Sequence, residues 1–460
     1  MEYTMIYENN CVKDLKIAYI GGGSRGWAWT LMNDLAKTDD MSGTVYLYDI
    51  DYDAARNNEV IGKKFPGDKW EYKAVRTAEE AMTGADFVII SILPGTFDEM
   101  ESDVHAPEKY GIYQSVGDTA GAGGFFRALR TVPMMREIAA NVRRYCPKAW
   151  VINYTNPMSV SIGALYREFP EIRAYGCCHE VFGTQGLLSN ALEEMEGVKG
   201  VRRQDISVNV VGVNHFTWFS SAYYQNKDLF EVYARFIEKY YETGYNKKGL
   251  GHWMNDFFQS DARVRMDLFR RFGYVAAAGD RHLAEFMDFE DYLSDCKKWS
   301  FGLTPVSWRK DNLKERLARS ERLLSGEETW EMQNTGEEGT LQMRALLGLD
   351  TLVTNINMPN RGQISNLPYG TVVETNAVFR DGSLAPVLSG AVPDSIYPLI
   401  SRAARENEAT LDAAFSLDLN YAYTKFAELN MIKSLKEEEK KELFETMYRN
   451  TAKYLGAYKK

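Results

Sequence analysis

Long hydrophobic runs are missing from this chain. No stretch reaches the roughly 18 apolar residues that a membrane-spanning helix needs, so no membrane partner is expected. Basic runs are missing too. No five consecutive basic residues occur, and the net charge of −10 is spread along the sequence, which argues against a nucleic-acid partner. Cysteine is scarce: five in 460 residues cannot build a disulfide scaffold. Residues Met1 to Lys16 hold no long apolar segment of the secretory kind, so a cytoplasmic protein with reduced thiols is expected. A reduced thiol is available as a metal ligand. Internal repeats and low-complexity segments are absent as well. What remains is 45% hydrophobic and 26% charged, an ordinary globular composition, and the length suggests two or three domains.

The first chemistry-bearing pattern is a turn. Lys16-Ile17-Ala18-Tyr19-Ile20 reads as a short buried strand ending in Gly21-Gly22-Gly23-Ser24-Arg25-Gly26, a G-x-G-x-x-G match, and Trp27, Leu31, Met32 and Leu35 follow at helical spacing. Gly21 would allow the tight turn, Gly23 the approach of a pyrophosphate, and Gly26 close packing of helix on strand, with the phosphates at the helix N-terminus. A second strand, Val45 to Tyr48, ends in Asp49. That carboxylate lies 23 residues past Gly26, near the ~20 expected for the group that binds a ribose 2′-hydroxyl. An anion there would repel a 2′-phosphate, so NAD is expected in preference to NADP. A near-continuous apolar run, Ala85 to Ile92, fits a parallel strand buried on both faces. The Gly-rich stretch from Tyr110 to Gly124 contains Asp118 and reads as an active-site loop.

The densest polar chemistry follows a further strand, Trp150-Val151-Ile152. It comprises Asn153-Tyr154-Thr155-Asn156-Pro157, Gly176-Cys177-Cys178-His179-Glu180 and Gly212-Val213-Asn214-His215. Thiolate and imidazole both bind first-row divalent ions. Adjacent residues on a strand point to opposite faces. Cys178 and His215 are therefore expected as ligands, His179 as an acid/base, and Cys177 in packing. Two protein ligands leave positions open for substrate hydroxyls, as a catalytic ion requires.

Taken together and in order, Gly21-x-Gly23-x-x-Gly26, Gly117-Asp118-Thr119, Asn153 to Pro157, Cys178-His179 and Gly212 to His215 resemble glycoside hydrolase family 4. The resemblance extends through Arg263-Val264-Arg265, Phe272-Gly273-Tyr274 and His282 to Phe286, and within the family it is to the bacterial α-galacturonidase branch. It implies an NAD- and metal-dependent glycosidase, with Mn²⁺ as the expected ion. NAD would oxidise the sugar C3 hydroxyl, and the metal would make the C2 proton acidic. A base would then remove that proton as an acid protonates the leaving oxygen. Water addition and return of the hydride would follow. This chemistry departs from the two-carboxylate scheme of most glycosidases. The resemblance places Cys178 and His215 as metal ligands, His179 as general acid and Asn156 on the substrate. Asp280 aligns with a proposed base, and Asp118 with a residue supporting it. Asn153 is expected on the cofactor and His282 on the substrate.

The expected fold is α/β. Residues 1–203 would form an NAD-binding, Rossmann-like doubly wound parallel sheet, and residues 204–460 a mixed α/β domain for substrate, metal and oligomerisation. Helices are expected near 230–241, 263–273, 312–324, 337–348 and 433–445, with Asn355 to Gly362 as a polar loop closing over the site. Arg263, Arg265 and Arg281 could meet a substrate carboxylate. The leading function is cleavage of short α-linked galacturonides by a homodimer or homotetramer. The competing readings are an α-galactosidase or α-glucuronidase, an NAD-dependent hydroxy-acid dehydrogenase, and an NAD-sensing binding module.

Overall fold

The computed structural model describes residues 5–246 and 260–459. Its larger sheet starts from strands β1 (Ile6–Glu8), β2 (Cys11–Ile20), β3 (Met41–Tyr48), β4 (Trp70–Val75), β5 (Phe87–Ile90), β6 (Trp150–Asn153) and β7 (Arg173–Gly176). Six of these run parallel in the order β4-β3-β2-β5-β6-β7, the order of a Rossmann-type doubly wound sheet, while β1 pairs antiparallel with β2. The strands are apolar on both faces because helices cover both. Ala18 and Ile20 enter one core with Val88, Ile90 and the helix Gly121–Tyr145. The intervening Ile17 and Tyr19 enter another with Ile89, Ile152 and the helix Trp27–Ala36.

The second half contributes two sets of strands. β8 (Ser207–Val213), β9 (Phe216–Tyr224), β10 (Lys227–Asp228) and β11 (Val275–Ala276) form a small antiparallel sheet, packed against the helices Leu229–Tyr240 and Arg263–Phe272. β12 (Leu352–Pro359), β13 (Val372–Arg380) and β14 (Ser383–Pro386) extend the larger sheet, with β12 joining β7 antiparallel at Asn357–Gly176. The segment from Asn355 is thus a buried strand as far as Pro359 and not a loop over the site. Its asparagines read as loop residues, but they are buried: the Asn355 amide donates to Glu374, and the Asn357 amide meets the Met158 sulfur. The helices Val306–Ser325, Gly339–Leu346 and Glu437–Thr451 lie near their expected places. Among the described residues, no helix is long and apolar enough to cross a membrane.

At the glycine turn the steric demand differs from expectation. Gly21 has φ +96°, and a Cβ there would lie 2.0 Å from the Ser91 carbonyl oxygen. Gly26 does not face a strand. A Cβ on it would meet the tip of Arg316 at 2.9 Å, so it does not serve helix–strand packing.

The long helix Gly121–Tyr145 is anchored by a buried ion pair. Arg130 donates to both carboxylate oxygens of Asp103, and its Nε donates to the Pro94 carbonyl at 3.1 Å. Asp103→Ala would strand a guanidinium in the core. A loss of about 3–5 kcal/mol is expected in urea unfolding, and a loss below about 1 kcal/mol would show that the pair does not carry the anchorage.

Candidate active site

Three chain segments converge at the carboxyl ends of β6 and β7, where an open α/β sheet offers its cleft. After β6, Asn153 folds its own loop: its amide donates to the Thr155 carbonyl (3.0 Å), and its Oδ1 accepts from Thr155 N–H (3.1 Å). With no exposed surface, Asn153 does not reach the cofactor face, contrary to expectation. The loop delivers Asn156, whose amide donates to Asp118 Oδ2 at 3.3 Å. The Asn156–Pro157 peptide is cis.

Asp118 sits on the Gly-rich loop, which is well buried rather than mobile. Glu285 holds it, with Oε1 accepting from the N–H groups of Val116 (2.7 Å) and Gly117 (2.9 Å). From Gly121 onward the glycines form the first turn of the long helix.

His215 comes from a two-residue turn, Asn214-His215, between the paired residues Val213 and Phe216. His215 takes φ +62°, and Gly212 allows the close approach because a Cβ there would lie 2.5 Å from the Phe216 carbonyl oxygen. The ring tautomer follows from its neighbours. Thr119 Oγ1 donates its one hydrogen to Asp118 Oδ1 (2.7 Å) and lies 2.9 Å from His215 Nδ1. It must therefore accept from His215 Nδ1–H, which leaves the lone pair on Nε2, the form that ligates metals. Burial and the nearby His282 push the His215 imidazole down to about 3, so it is neutral.

His282 packs against His215 with ring centroids 3.7 Å apart and the planes tilted by 34°, and its Nε2 lies 3.7 Å from Glu180 Oε1. Donor atoms of Asp118, His215 and His282 all lie within 4.8 Å of one another, and they form the one such metal-capable group among the described residues. Cys178 is not part of it, although it was expected to share an ion with His215. The buried Cys178 thiol lies on the Asn214 side, where the Asn214 amide and the Glu180 N–H donate to it. Burial and the charges of Glu374 and Glu180 raise that thiol well above its usual range, so a thiolate there needs a cation beside it. The donor set fits a divalent ion. It combines a carboxylate with two imidazoles, one of them neutral, and buried polar atoms lacking partners (Asn156 Oδ1, Asn214 Oδ1, His282 Nδ1) lie on or beside the same residues.

The carboxylates are held ionised. Burial opposes it, but His282, His215 and Arg127 keep Asp118 well below the usual carboxylate range. Glu180 is held at about 2 against burial by the three histidines and by Gly279 N–H, which donates to Oε2 at 2.7 Å. His179 is the N-cap residue of the helix Glu180–Glu196, and its side chain is 48% exposed. Burial of its environment would lower the imidazole. The hydrogen bond and charge of Glu337, 3.0 Å from Nδ1, outweigh this and raise it to about 9. The ring stacks near Trp27, which leads the helix after the glycine turn. Cys177 points into the opposite core, where Gln342 donates to its sulfur.

Other expected roles give way to packing. Asp280 is fully buried and accepts from Val264 N–H (3.1 Å), Arg265 N–H (3.3 Å) and Arg265 Nε (3.1 Å). Its carboxylate caps the helix Arg263–Phe272 and neutralises Arg265, so it is not placed as a base. Arg263 is used on the Tyr241 and Lys298 carbonyls, and Arg281 on Ser115, Gly302 and Thr304. Residues that sequence reasoning missed are Glu337, Glu285, Thr119 and Glu374. Glu285 and Thr119 carried a signal, through their places beside His282 and in the Gly117-Asp118-Thr119 motif, but no role followed from it; Glu337 and Glu374 carried none.

At the glycine turn, Gly23 N–H donates to Asp49 Oδ2 (2.8 Å) and Asp51 N–H to Oδ1 (2.9 Å). The second lone pair on each oxygen is free for a ribose hydroxyl. The helix Trp27–Ala36 has no side-chain cap and no acidic residue in its first turn, so its N-terminus suits a phosphate. The features of a dinucleotide site are present.

Fold, cleft and sequence together define a glycosidase: the chain belongs to glycoside hydrolase family 4. Residues 16–194 match the family 4 glycosyl hydrolase description, and residues 210–428 match that of the family's C-terminal domain. The chain is 57% identical to an α-galacturonidase of Thermoanaerobacterium saccharolyticum over 99% of both proteins. It is 49% identical to an α-galacturonidase of Bacillus subtilis over 92% of this chain and 94% of that protein. The crystal structure of Bacillus subtilis lplD superposes with a TM-score of 0.92 at 48% identity, covering 95% of this chain and all of that one. A 6-phospho-α-glucosidase from gut microorganisms, solved with NAD and Mn²⁺, shares the fold at 20% identity and TM-score 0.77, covering 95% of this chain and 98% of that one.

The His179–Glu337 pair makes a direct prediction for the metal-free protein. Because its pKa is raised, His179 is protonated at neutral pH and loses its proton only as pH rises through about 9. An NMR titration of the ring should show this, and Glu337→Gln should return the midpoint toward ~6.5. An unchanged midpoint in the variant would remove Glu337 as the cause.

Proposed function

We propose that the chain is an NAD- and divalent-metal-dependent α-galacturonidase that releases galacturonate from short α-linked galacturonides. The observation that carries this reading is the end-to-end match, at 57% identity, to a protein that bears this activity's name. The cleft chemistry supports it. When bound, NAD supplies reversible oxidation at sugar C3, and the cation, Mn²⁺ in our reading, polarises the neighbouring sugar oxygens so that the C2 proton becomes acidic.

The chain's own residues do the rest. His179, held protonated by Glu337, donates a proton to the leaving glycosidic oxygen. His215, its tautomer fixed by Thr119, presents a lone pair, and Cys178 supplies the second ligand once its proton is lost. Asp118 stays ionised beside them and anchors the Asn156 amide, which leaves Asn156 Oδ1 to accept from a sugar hydroxyl. His282 lines the same space against the substrate. Gly21, Gly23 and Gly26 shape the pyrophosphate turn, and Asp49 binds the adenosine ribose. We place the boundary of the nucleotide-binding domain at residues 203/204 and take the assembly to be a homodimer or homotetramer in the cytoplasm.

Incubation of digalacturonate with enzyme, NAD and Mn²⁺ should release galacturonate with no net NADH. EDTA should stop the reaction, and added Mn²⁺ should restore it. Accumulation of NADH in step with turnover would mean a dehydrogenase instead, and preference for α-glucuronides or α-galactosides would move the specificity within the family. Cys178→Ser should abolish Mn²⁺ binding and turnover while NAD still binds. Asp49→Ala should weaken NAD about 10- to 100-fold in calorimetry, the cost of a lost hydrogen bond to a charged group. Unchanged NAD affinity would place the ribose contact elsewhere.

A further inference from the structure

The strands that complete the larger sheet carry a polar set that the reading above leaves unused. Glu374 on β13 is 1% exposed and faces Asn357 directly across the ladder. Its Oε1 accepts from Asn355 Nδ2 at 2.6 Å, and its Oε2 accepts from Asn214 Nδ2 at 3.3 Å. The same Asn355 amide donates to the Cys178 carbonyl at 3.1 Å. One buried carboxylate is therefore joined through one amide to the loop bearing Cys178, and through another to the turn bearing His215. The two loops come from different sheets, and the Asn214 amide that donates to Glu374 also donates to the Cys178 thiol. Asn376, two residues further along β13, donates to the Val208 carbonyl (2.6 Å), so β13 also fixes the small sheet from which His215 projects.

A carboxylate buried among amides is costly unless its oxygens are satisfied and some cation is nearby. One oxygen is filled here by Asn355 of β12, which also holds the Cys178 carbonyl, and the other by Asn214 of the turn. We propose that Glu374 is a positioning residue for the metal site, clamping the Cys178 loop and the Asn214-His215 turn to a single point so that the two donors converge before the ion arrives. This rests on the reading that Cys178 and His215 hold the cation.

The test uses the whole enzyme and Mn²⁺ alone, with free Mn²⁺ read by electron paramagnetic resonance. Glu374→Gln keeps the shape but turns one acceptor into a donor that faces an amide donor. Mn²⁺ affinity should fall about 10- to 100-fold, the usual cost of losing an orienting partner behind a ligand. NAD affinity should stay unchanged, and turnover should return at saturating Mn²⁺. Asn355→Leu, which cuts the link to the Cys178 carbonyl alone, should lower Mn²⁺ affinity in the same direction and serves if Glu374→Gln does not fold. Wild-type Mn²⁺ affinity in either folded variant, with Cys178→Ser unable to bind, overturns the clamp and leaves the ligands standing. Equal binding by Cys178→Ser and wild type overturns the ligand assignment and the clamp with it.

Discussion

The His215 and His282 rings lie 3.7 Å apart in a cleft that also holds Asp118 and Glu180, and their closeness governs the chemistry available there. Two imidazolium ions cannot share so small and dry a space. His215 is therefore neutral and carries a lone pair, while Asp118 and Glu180 stay ionised against burial. The cleft is rich in donors and poor in net positive charge, a composition that suits a divalent cation. His179 stands outside this group and is paired with its own carboxylate, Glu337, which gives it the opposite protonation. One fold thus supports a neutral histidine and a charged one within a short span, and each owes its state to a different neighbour.

The two halves of the chain share this cleft. The parallel strands supply the glycine turn, Asp49, Asn156 and Cys178. The small sheet supplies His215, and the helix after it His282. Because β12 and β13 run on from β7 in one sheet, the second half is packed against the first at the point where the ligand-bearing loops emerge. Glu285 does the same for the Asp118 loop from a helix of the second half.

Much of this was legible in the sequence because its signals are local. The G-x-G-x-x-G turn, the spacing to Asp49, and the apolar runs that became β2, β3, β5 and β6 each occupy a few consecutive residues, and the parallel order follows from their alternation with helices. The residues named from motifs (Asp118, Asn156, Cys178, His179, His215 and His282) all come to the same end of the sheet. What failed was long-range. Asp280 looks like a free carboxylate until Arg265 and the start of its helix are seen against it. Asn153 looks like a cofactor ligand until its amide is found closing its own loop. Asn355 and Asn357 read as loop because asparagine is rare in strands, and only their partners explain them. Glu337 lies in an irregular segment with no motif at all, and its role appears only once that segment is stitched to the first helix through Asn33 and Asp34.

If the glycosidic bond breaks by elimination, the proton at C2 is removed and later replaced from solvent. The most direct measurement is hydrolysis of digalacturonate in D₂O with NAD and Mn²⁺, followed by NMR of the released galacturonate. Deuterium is expected at C2 of the newly formed sugar. Galacturonate released at full rate with protium retained at C2 would contradict it, because direct displacement leaves that bond untouched.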